Sequence, residues 1–370
     1  MSAVWGNNIR LSLFGESHGP AIGMVVDGFP PNVAIDLAAV QLDLNRRAPG
    51  QDATATKRKE ADAVEIVSGL LNGKTTGAPL CGIIRNTNTR SQDYADVQSI
   101  ARPGHADFTG FVRYAGANDV RGGGHFSGRL TAPLVFAGAL ARQWLRRCGI
   151  EVGAHIAAIE SVLDERFDLC DVNQETLIRL QRMKFPVLKA DKEPEMRRKV
   201  EEAHMREDSV GGLIECAACG VPAGWGSPFF DSVESVLAHL VFSVPATKGI
   251  EFGSGFDLAG MRASQANDAM RADEQGRVYT ETNYNGGING GITNGMPIVF
   301  RTAIKPTPSI AKEQKSVDYR TKKNETIRIR GRHDPCIVPR AVPVMEACLA
   351  IALMECALET GKQEGDTQHA

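Results

Sequence analysis

The chain has 370 residues, 42% of them hydrophobic and 23% charged, with a formal net charge of −2. That is enough apolar material for a large core, and the near-neutral balance argues against a general nucleic-acid binder. No apolar run resembles a signal peptide and none reaches the length of about 18 residues that a membrane span needs, so the expectation is a cytoplasmic protein without a membrane segment. In chain order, residues 21–28 (AIGMVVDG) read as a strand, and 35–47 (IDLAAVQLDLNRR) as a helix with Asp36 as its N-cap and Pro49-Gly50 as its stop. AVEIVSGL and APLCGIIR are strands separated by Asn72-Gly73, a hairpin signal. Residues 86–128 have little periodicity but many Gly, Asp, Arg and His, and read as a loop that carries function. A helix is predicted over 131–147, a strand-like run over 151–163, and a charged, solvent-facing helical stretch over 172–208.

GGLIECAACGVP reads as a strand, DSVESVLAHLVF as a helix, GIEFGSGF as a strand, 261–295 as a Gly/Asn-rich loop and MPIVFRTAI as a strand. VPVMEACLAIALMECALET is a long apolar helix stopped by Gly361, and the polar residues 362–370 are expected to be disordered. Eight cysteines are scattered along the chain; Cys216 and Cys219 have metal-like spacing, but nothing nearby completes a four-ligand site, so no metal is expected and both read as buried thiols. TTGAPLCGIIRNT and TNGMPIVFRTAIKPT share a turn, Gly-x-Pro, an apolar strand, a basic residue and Thr. With no low-complexity linker, this points to one α/β (α+β) domain over 1–361 with an internal pseudo-repeat.

Six stretches could carry chemistry. GESHG brings Ser17 and His18 into a glycine-flanked turn, and RPGHADFTG places His105 two residues before Asp107, which either orients the imidazole or makes an Asx turn. A histidine suits proton transfer near neutral pH, although a surface histidine is the competing reading. RGGGHFSGRLTAP puts three glycines ahead of the predicted helix, with Arg121, Ser127 and Arg129 around them, and reads as an anion site at a helix start or a simple glycine turn. No Rossmann or Walker fingerprint is present. Arg46-Arg47 close a helix, where they complement its dipole or meet a phosphate. AIKPTPSI and RGRHDPCIVPRAVPVMEA supply Lys305 and the cluster Arg332, His333 and Asp334.

These pieces, in this order and along nearly the whole chain, resemble the chorismate synthase family: FGESHGPAIGMVVDGFP, DLNRRAPG, NTNTRSQDY, RPGHADFTG, RGGGHFSGRLTA, NGGINGGITNGMPI, KPTPSI and GRHDPCIVPRAVPV. The resemblance implies a β-α-β sandwich, a homotetramer, and an anti-1,4-elimination of phosphate from 5-enolpyruvylshikimate 3-phosphate that gives chorismate. It also implies a requirement for reduced FMN without net redox change, with NADPH as one source of electrons. Carried over by motif, His18 with Ser17 serves the leaving phosphate, His105 faces the flavin, and Asp334 with Ser127 assists proton removal. FMN contacts carry over to His125, Phe126, Ser127, Ala246, Gly290, Lys305, Pro306, Thr307, Pro308, Ser309 and Arg332. Arg46, Arg47 and Arg129 carry over as contacts for substrate or NADP phosphate. Against many members, this chain has His125 for Arg, Leu130 for Glu and Pro245 for Asn, and Lys57, Arg58 and Lys59 where others have arginine. The competing readings are an FMN-dependent oxidoreductase and a non-catalytic binder of phosphorylated ligands.

Overall fold

A computed structural model describes residues 3–50, 62–87, 99–329 and 334–361. Two five-stranded antiparallel sheets enclose a layer of helices. In the first sheet, Arg10–Gly15, Ala21–Asp27, Leu80–Arg85 and Val64–Ser68 lie side by side, with Val4–Trp5 at one edge. In the second, Glu151–Ile159, Gly212–Cys219, Ile298–Ile304 and Thr247–Phe252 follow in that order, with Val162–Leu163 at the edge. The first sheet buries chiefly one face, whereas the central strands of the second are buried on both, their outer face covered by Leu177 and Leu180. Ile22, Met24 and Val26 alternate inward from the first sheet and Ile214, Cys216 and Ala218 from the second, because side chains on a strand repeat every two residues.

The helical layer holds Thr131–Arg147 against the first sheet and Val338–Glu359 against the second. The second of these is, among the described residues, the one helix long and apolar enough to cross a membrane, and it is the buried core of this fold. The two helices meet at small residues: a Cβ built on Gly138 would lie 2.2 Å from the Ala347 Cβ. Gly138→Val should therefore overpack the crossing and destabilise the fold by about 1–3 kcal/mol or more. Gly260→Ala, which meets nothing within 4 Å, should be close to neutral. Equal urea midpoints for the two variants would contradict this account of the crossing.

Polar tethers fix the layers. Asp36 caps Leu37–Arg47 as predicted, accepting from the backbone N–H of Ala38 and Ala39 at 2.8 and 3.1 Å. Glu346, buried in the last helix, takes Arg46 in a two-pronged ion pair at 2.6 and 2.9 Å and accepts from the Ala154 backbone at 3.1 Å. Glu355 accepts from the backbone N–H of Asn7, Asn8 and Ile9, tying the N-terminal segment to the same helix.

The pseudo-repeat is structural. The two four-strand cores have the same order, β-β-α-β-β-α in each half, except that the second half inserts the helices Gln174–Arg182 and Lys192–Met205 between its first two strands. The same threonine clip closes both. Thr75 Oγ1 accepts from Val33 N at 2.9 Å and donates to Pro30 O at 2.7 Å; Thr293 Oγ1 accepts from Trp225 N at 2.9 Å and donates to Pro222 O at 2.6 Å.

Several expectations are corrected. The 172–208 stretch is two helices, Gln174–Arg182 and Lys192–Met205, parted around Pro186. Asn72-Gly73 turns only the small pair Leu70–Leu71 and Lys74–Thr75, while Val64–Ser68 pairs directly with Leu80–Arg85. The 86–128 loop contains a helix, Asp107–Arg113, and the 261–295 loop contains the hairpin Met270–Ala272 with Val278–Thr280. Cys216 is buried and Cys219 half-buried on opposite faces of one strand, so they cannot share a metal ion; none of the eight cysteines is in a disulfide. Burial pushes the Cys216 thiol well above its ordinary pKa. The tail 362–370 lies outside the described residues.

Candidate active site

A cavity of about 970 Å³ opens where the two halves meet. His18, His105, His125, Phe126, Ser127, Arg129 and Asp334 all line it, as do Arg47, Ala246, Lys305 and Thr307 to Ser309. Segments more than 300 residues apart in sequence thus converge on one space, because each leaves the end of a strand or helix at the seam.

The glycine loop makes the histidines fit. Gly122, Gly123 and Gly124 all have positive φ, at 60°, 92° and 52°, which excludes an ordinary side chain. A Cβ on Gly122 would lie 2.0 Å from His18 Cε1, and one on Gly123 would lie 3.2 Å from His105 Nε2. These glycines stand well before the helix, which starts at Thr131, so their part is to let backbone pass against two imidazoles rather than to form a helix-start anion site. The GESHG turn is stitched to the loop: Ser17 N donates to Gly124 O at 3.1 Å, and Ser17 Oγ lies 3.2 Å from Arg121 O and 3.1 Å from His18 Nδ1. With its own hydrogen on the Arg121 carbonyl, the Ser17 hydroxyl accepts from His18 Nδ1, leaving Nε2 as the ring's other proton-carrying atom. His125 turns its Nδ1 to the Gly15 carbonyl at 2.9 Å. His105 Nδ1 lies beside Asp107, which Arg102 grips with two nitrogens. Asp107 both makes the turn, accepting from Arg102 N at 2.9 Å, and touches the ring.

Positive charge dominates the wall. Arg47, Arg102, Arg129, Arg340, Lys248 and Lys305 face the cavity, and among the described residues Asp334 is the only carboxylate lining it. Two further carboxylates sit behind: Asp107, gripped by Arg102, and Asp62, itself buried, which bridges Arg47 at 2.6 Å and Arg129. Arg340 holds Asp334 while donating to the Arg47 carbonyl at 3.0 Å. Burial pushes the Asp62 pKa up, but the two guanidiniums outweigh it and hold the carboxyl below its ordinary value. Arg47 is brought down to about 10, chiefly by burial, with Arg340 and Arg129 adding to it against the pull of Asp62. Both partners are thus lowered, Arg47 chiefly by its own burial and Asp62 by its guanidinium neighbours, and in both cases the surplus of guanidiniums over carboxylates in the pocket acts in that direction. Arg47 Nε is buried without a partner. Such a wall is short of negative charge and suits an anionic ligand.

Some carried-over residues fall elsewhere. Arg46 points into the core network of Glu346, since successive helical residues lie about 100° apart and only Arg47 faces the cavity. Gly290 is exposed on the Ile288–Thr293 turn, and neither it nor Pro306 lines the cavity; Ser17 lies behind His18. Arg332, Lys57, Arg58 and Lys59 lie outside the described residues. Sequence reading missed Asp62, Arg102, Arg340, Lys248 and His239 as participants in this wall.

The comparisons with known proteins agree with one another. The profile of the family described as Chorismate synthase matches residues 9–358. A protein named chorismate synthase from Dehalococcoides mccartyi (strain ATCC BAA-2266 / KCTC 15142 / 195) is 44% identical over 361 residues, covering 98% of each chain. One of the same name from Korarchaeum cryptofilum (strain OPF8) is 45% identical over 354 residues, covering 95% of this chain and 96% of the other. A solved structure titled "Crystal Structure of Chorismate Synthase" superposes with a TM-score of 0.76 at 27% identity, covering 97% of this chain and 94% of that one.

Proposed function

Because the chain belongs to the chorismate synthase family, we propose that its cavity carries out the family's carbon–oxygen lyase reaction: 1,4-elimination of phosphate from 5-enolpyruvylshikimate 3-phosphate to give chorismate, in the shikimate pathway. The observation that carries this reading is the pairing of two poised imidazoles, His18 and His105, with a wall holding more cations than carboxylates. Arg47, Arg129 and Arg340 hold the anionic groups of the substrate, which reduces the charge of the departing phosphate. His18, with Nδ1 committed to Ser17, gives its proton to that phosphate from Nε2. Asp334, fixed by Arg340, and Ser127 line the same cavity, and in this reading they assist removal of the proton.

The residues present also fit a flavin. Thr247 and Thr307 line the cavity with buried hydroxyls that have no partner, and Lys305 stands at its edge, so a polar cofactor has groups to meet. His125, Phe126, Ser127, Ala246, Lys305 and Thr307 to Ser309 would hold reduced FMN, with NADPH or an outside donor as reductant. When bound, the flavin supplies transient electron density to the elimination. The reading includes one catalytic unit over 1–361, supported by an apolar core shared by both sheets. It includes a cytoplasmic homotetramer, supported by cysteines that form no disulfide and by Phe229, Phe230 and Phe256, which are 80% or more exposed.

An anaerobic assay with chemically reduced FMN and 5-enolpyruvylshikimate 3-phosphate tests the proposal. Chorismate and phosphate should appear in equal amounts, with the FMN still reduced at the end. FMN oxidised in step with product would favour an oxidoreductase instead, and bound substrate without product would favour a binding protein.

A further inference from the structure

We infer that Asp107 and Arg102 are positioning residues that fix the tautomer of His105: the Nδ1 hydrogen is committed to the Asp107 carboxylate, and Nε2 is the atom that exchanges a proton with the cavity. This rests on the function proposed above, in which His105 is one of the two poised imidazoles, and takes that ring as an acid–base group.

Two groups compete for Nδ1. Asp107 Oδ1 lies 2.7 Å away and Arg102 Nη2 lies 3.1 Å away. An ionised carboxylate only accepts and a guanidinium only donates, so one ring nitrogen cannot satisfy both. Arg102 does not need the ring: its Nε and Nη2 each reach Asp107 at 2.7 Å. The carboxyl, in turn, is kept ionised. Burial pushes its pKa up, and hydrogen bonds from Arg102 and His105 pull it further down, well below the ordinary carboxylate value. Asp107 also accepts from the Arg102 backbone N–H at 2.9 Å, so it cannot swing away without opening the turn. The hydrogen therefore sits on Nδ1 and points at Asp107.

The far side of the ring completes the arrangement. Nε2 faces Gly123, where a Cβ would lie 3.2 Å from it and 3.6 Å from the Ser127 Cβ. With no side chain in the way, Nε2 opens onto the cavity beside Ser127. A proton taken up on Nε2 also leaves from Nε2, and the hydrogen on Nδ1 stays in place, so no tautomer exchange is needed between turnovers. Arg102 balances the charge of Asp107, so the device adds no net charge to the wall.

The test is ¹⁵N-histidine NMR on the full chain, with the His105 signals assigned by their loss in His105→Ala. The native protein should show the Nδ1–H form. In Asp107→Asn the carboxamide can donate to Nδ1, so the Nε2–H form should appear, kcat should fall by roughly 10²-fold or more, and KM should hold. Asp107→Glu keeps a carboxylate and should retain the native form and recover part of the activity. Unchanged signals from the other histidines would show that each variant is folded. An Nε2–H form in the native protein, or the native form persisting in Asp107→Asn, would overturn the inference. A tautomer change without loss of turnover would uphold the positioning and sink the acid–base role of His105.

Discussion

Alanine at His18 lowers kcat by roughly 10²-fold or more, the usual scale for an acid–base group, while KM changes little. The split follows from how the cavity divides its work. The guanidiniums of Arg47, Arg129 and Arg340, paired with Asp62 and Asp334, hold anionic groups by charge. The imidazole instead has its Nδ1 beside Ser17, which leaves Nε2 to deliver a proton. Steady-state kinetics at saturating reduced flavin would read both parameters. A kcat near that of the native enzyme would remove His18 from the mechanism, and a rise in KM alone would make it a binding group. Gly122→Ala should mimic the loss, because its methyl would occupy the place of the His18 ring.

Asp62→Ala should destabilise the fold by about 3–5 kcal/mol, the scale for removing one partner of a buried ion pair. Asp62 is 2% exposed and is the carboxylate that bridges Arg47 and Arg129. Without it, the excess of positive charge that already lowers Arg47 grows. Inorganic phosphate in the cavity should then raise the urea midpoint of the variant more than that of the native chain. The pH dependence has a definite sign. Because the folded carboxyl titrates below its ordinary value of 3.8, its contribution is complete above about pH 4 and fades as pH falls through the folded value. The native chain should therefore lose stability in acid more steeply than the variant. A loss below about 1 kcal/mol, the scale of an exposed pair, would show that Asp62 is not the buried bridge described here.

Much of this was legible from local chemistry. The helix Thr131–Arg147 ends where its apolar periodicity does, and Asp36 caps its helix because a short carboxylate reaches two free N–H groups. The shared Gly-x-Pro strands disclosed the duplication, since the same turn has to precede the same strand in each half. His18, His105 and Asp334 could be read from their glycine- and proline-framed loops. Other features left no such mark. The hairpin of Glu313–Asp318 and Lys323–Arg328 is charged and largely exposed, so it has no apolar alternation to betray it. Arg46 and Arg47 are adjacent in sequence and differ only in the direction they face. Asp62 and Arg340 owe their roles to partners far away in the chain, and no motif surrounds Asp62. The triple glycine was visible, but what it makes room for is settled only when two other loops arrive beside it.

The position of the last helix has a consequence for how the protein is made. Both sheets close on a core whose central element is Val338–Glu359, and the Ile9 backbone finds its partner in Glu355, 346 residues further on. A ribosome that has delivered everything up to residue 337 has produced the second sheet without the helix that packs on it, although Thr131–Arg147 already backs the first. Contacts of such long sequence separation form late, and an unfinished chain keeps its sheet faces open to aggregation. Completion of this core therefore waits for the last helix, and a chain truncated at residue 337 should expose the apolar face of the second sheet and aggregate.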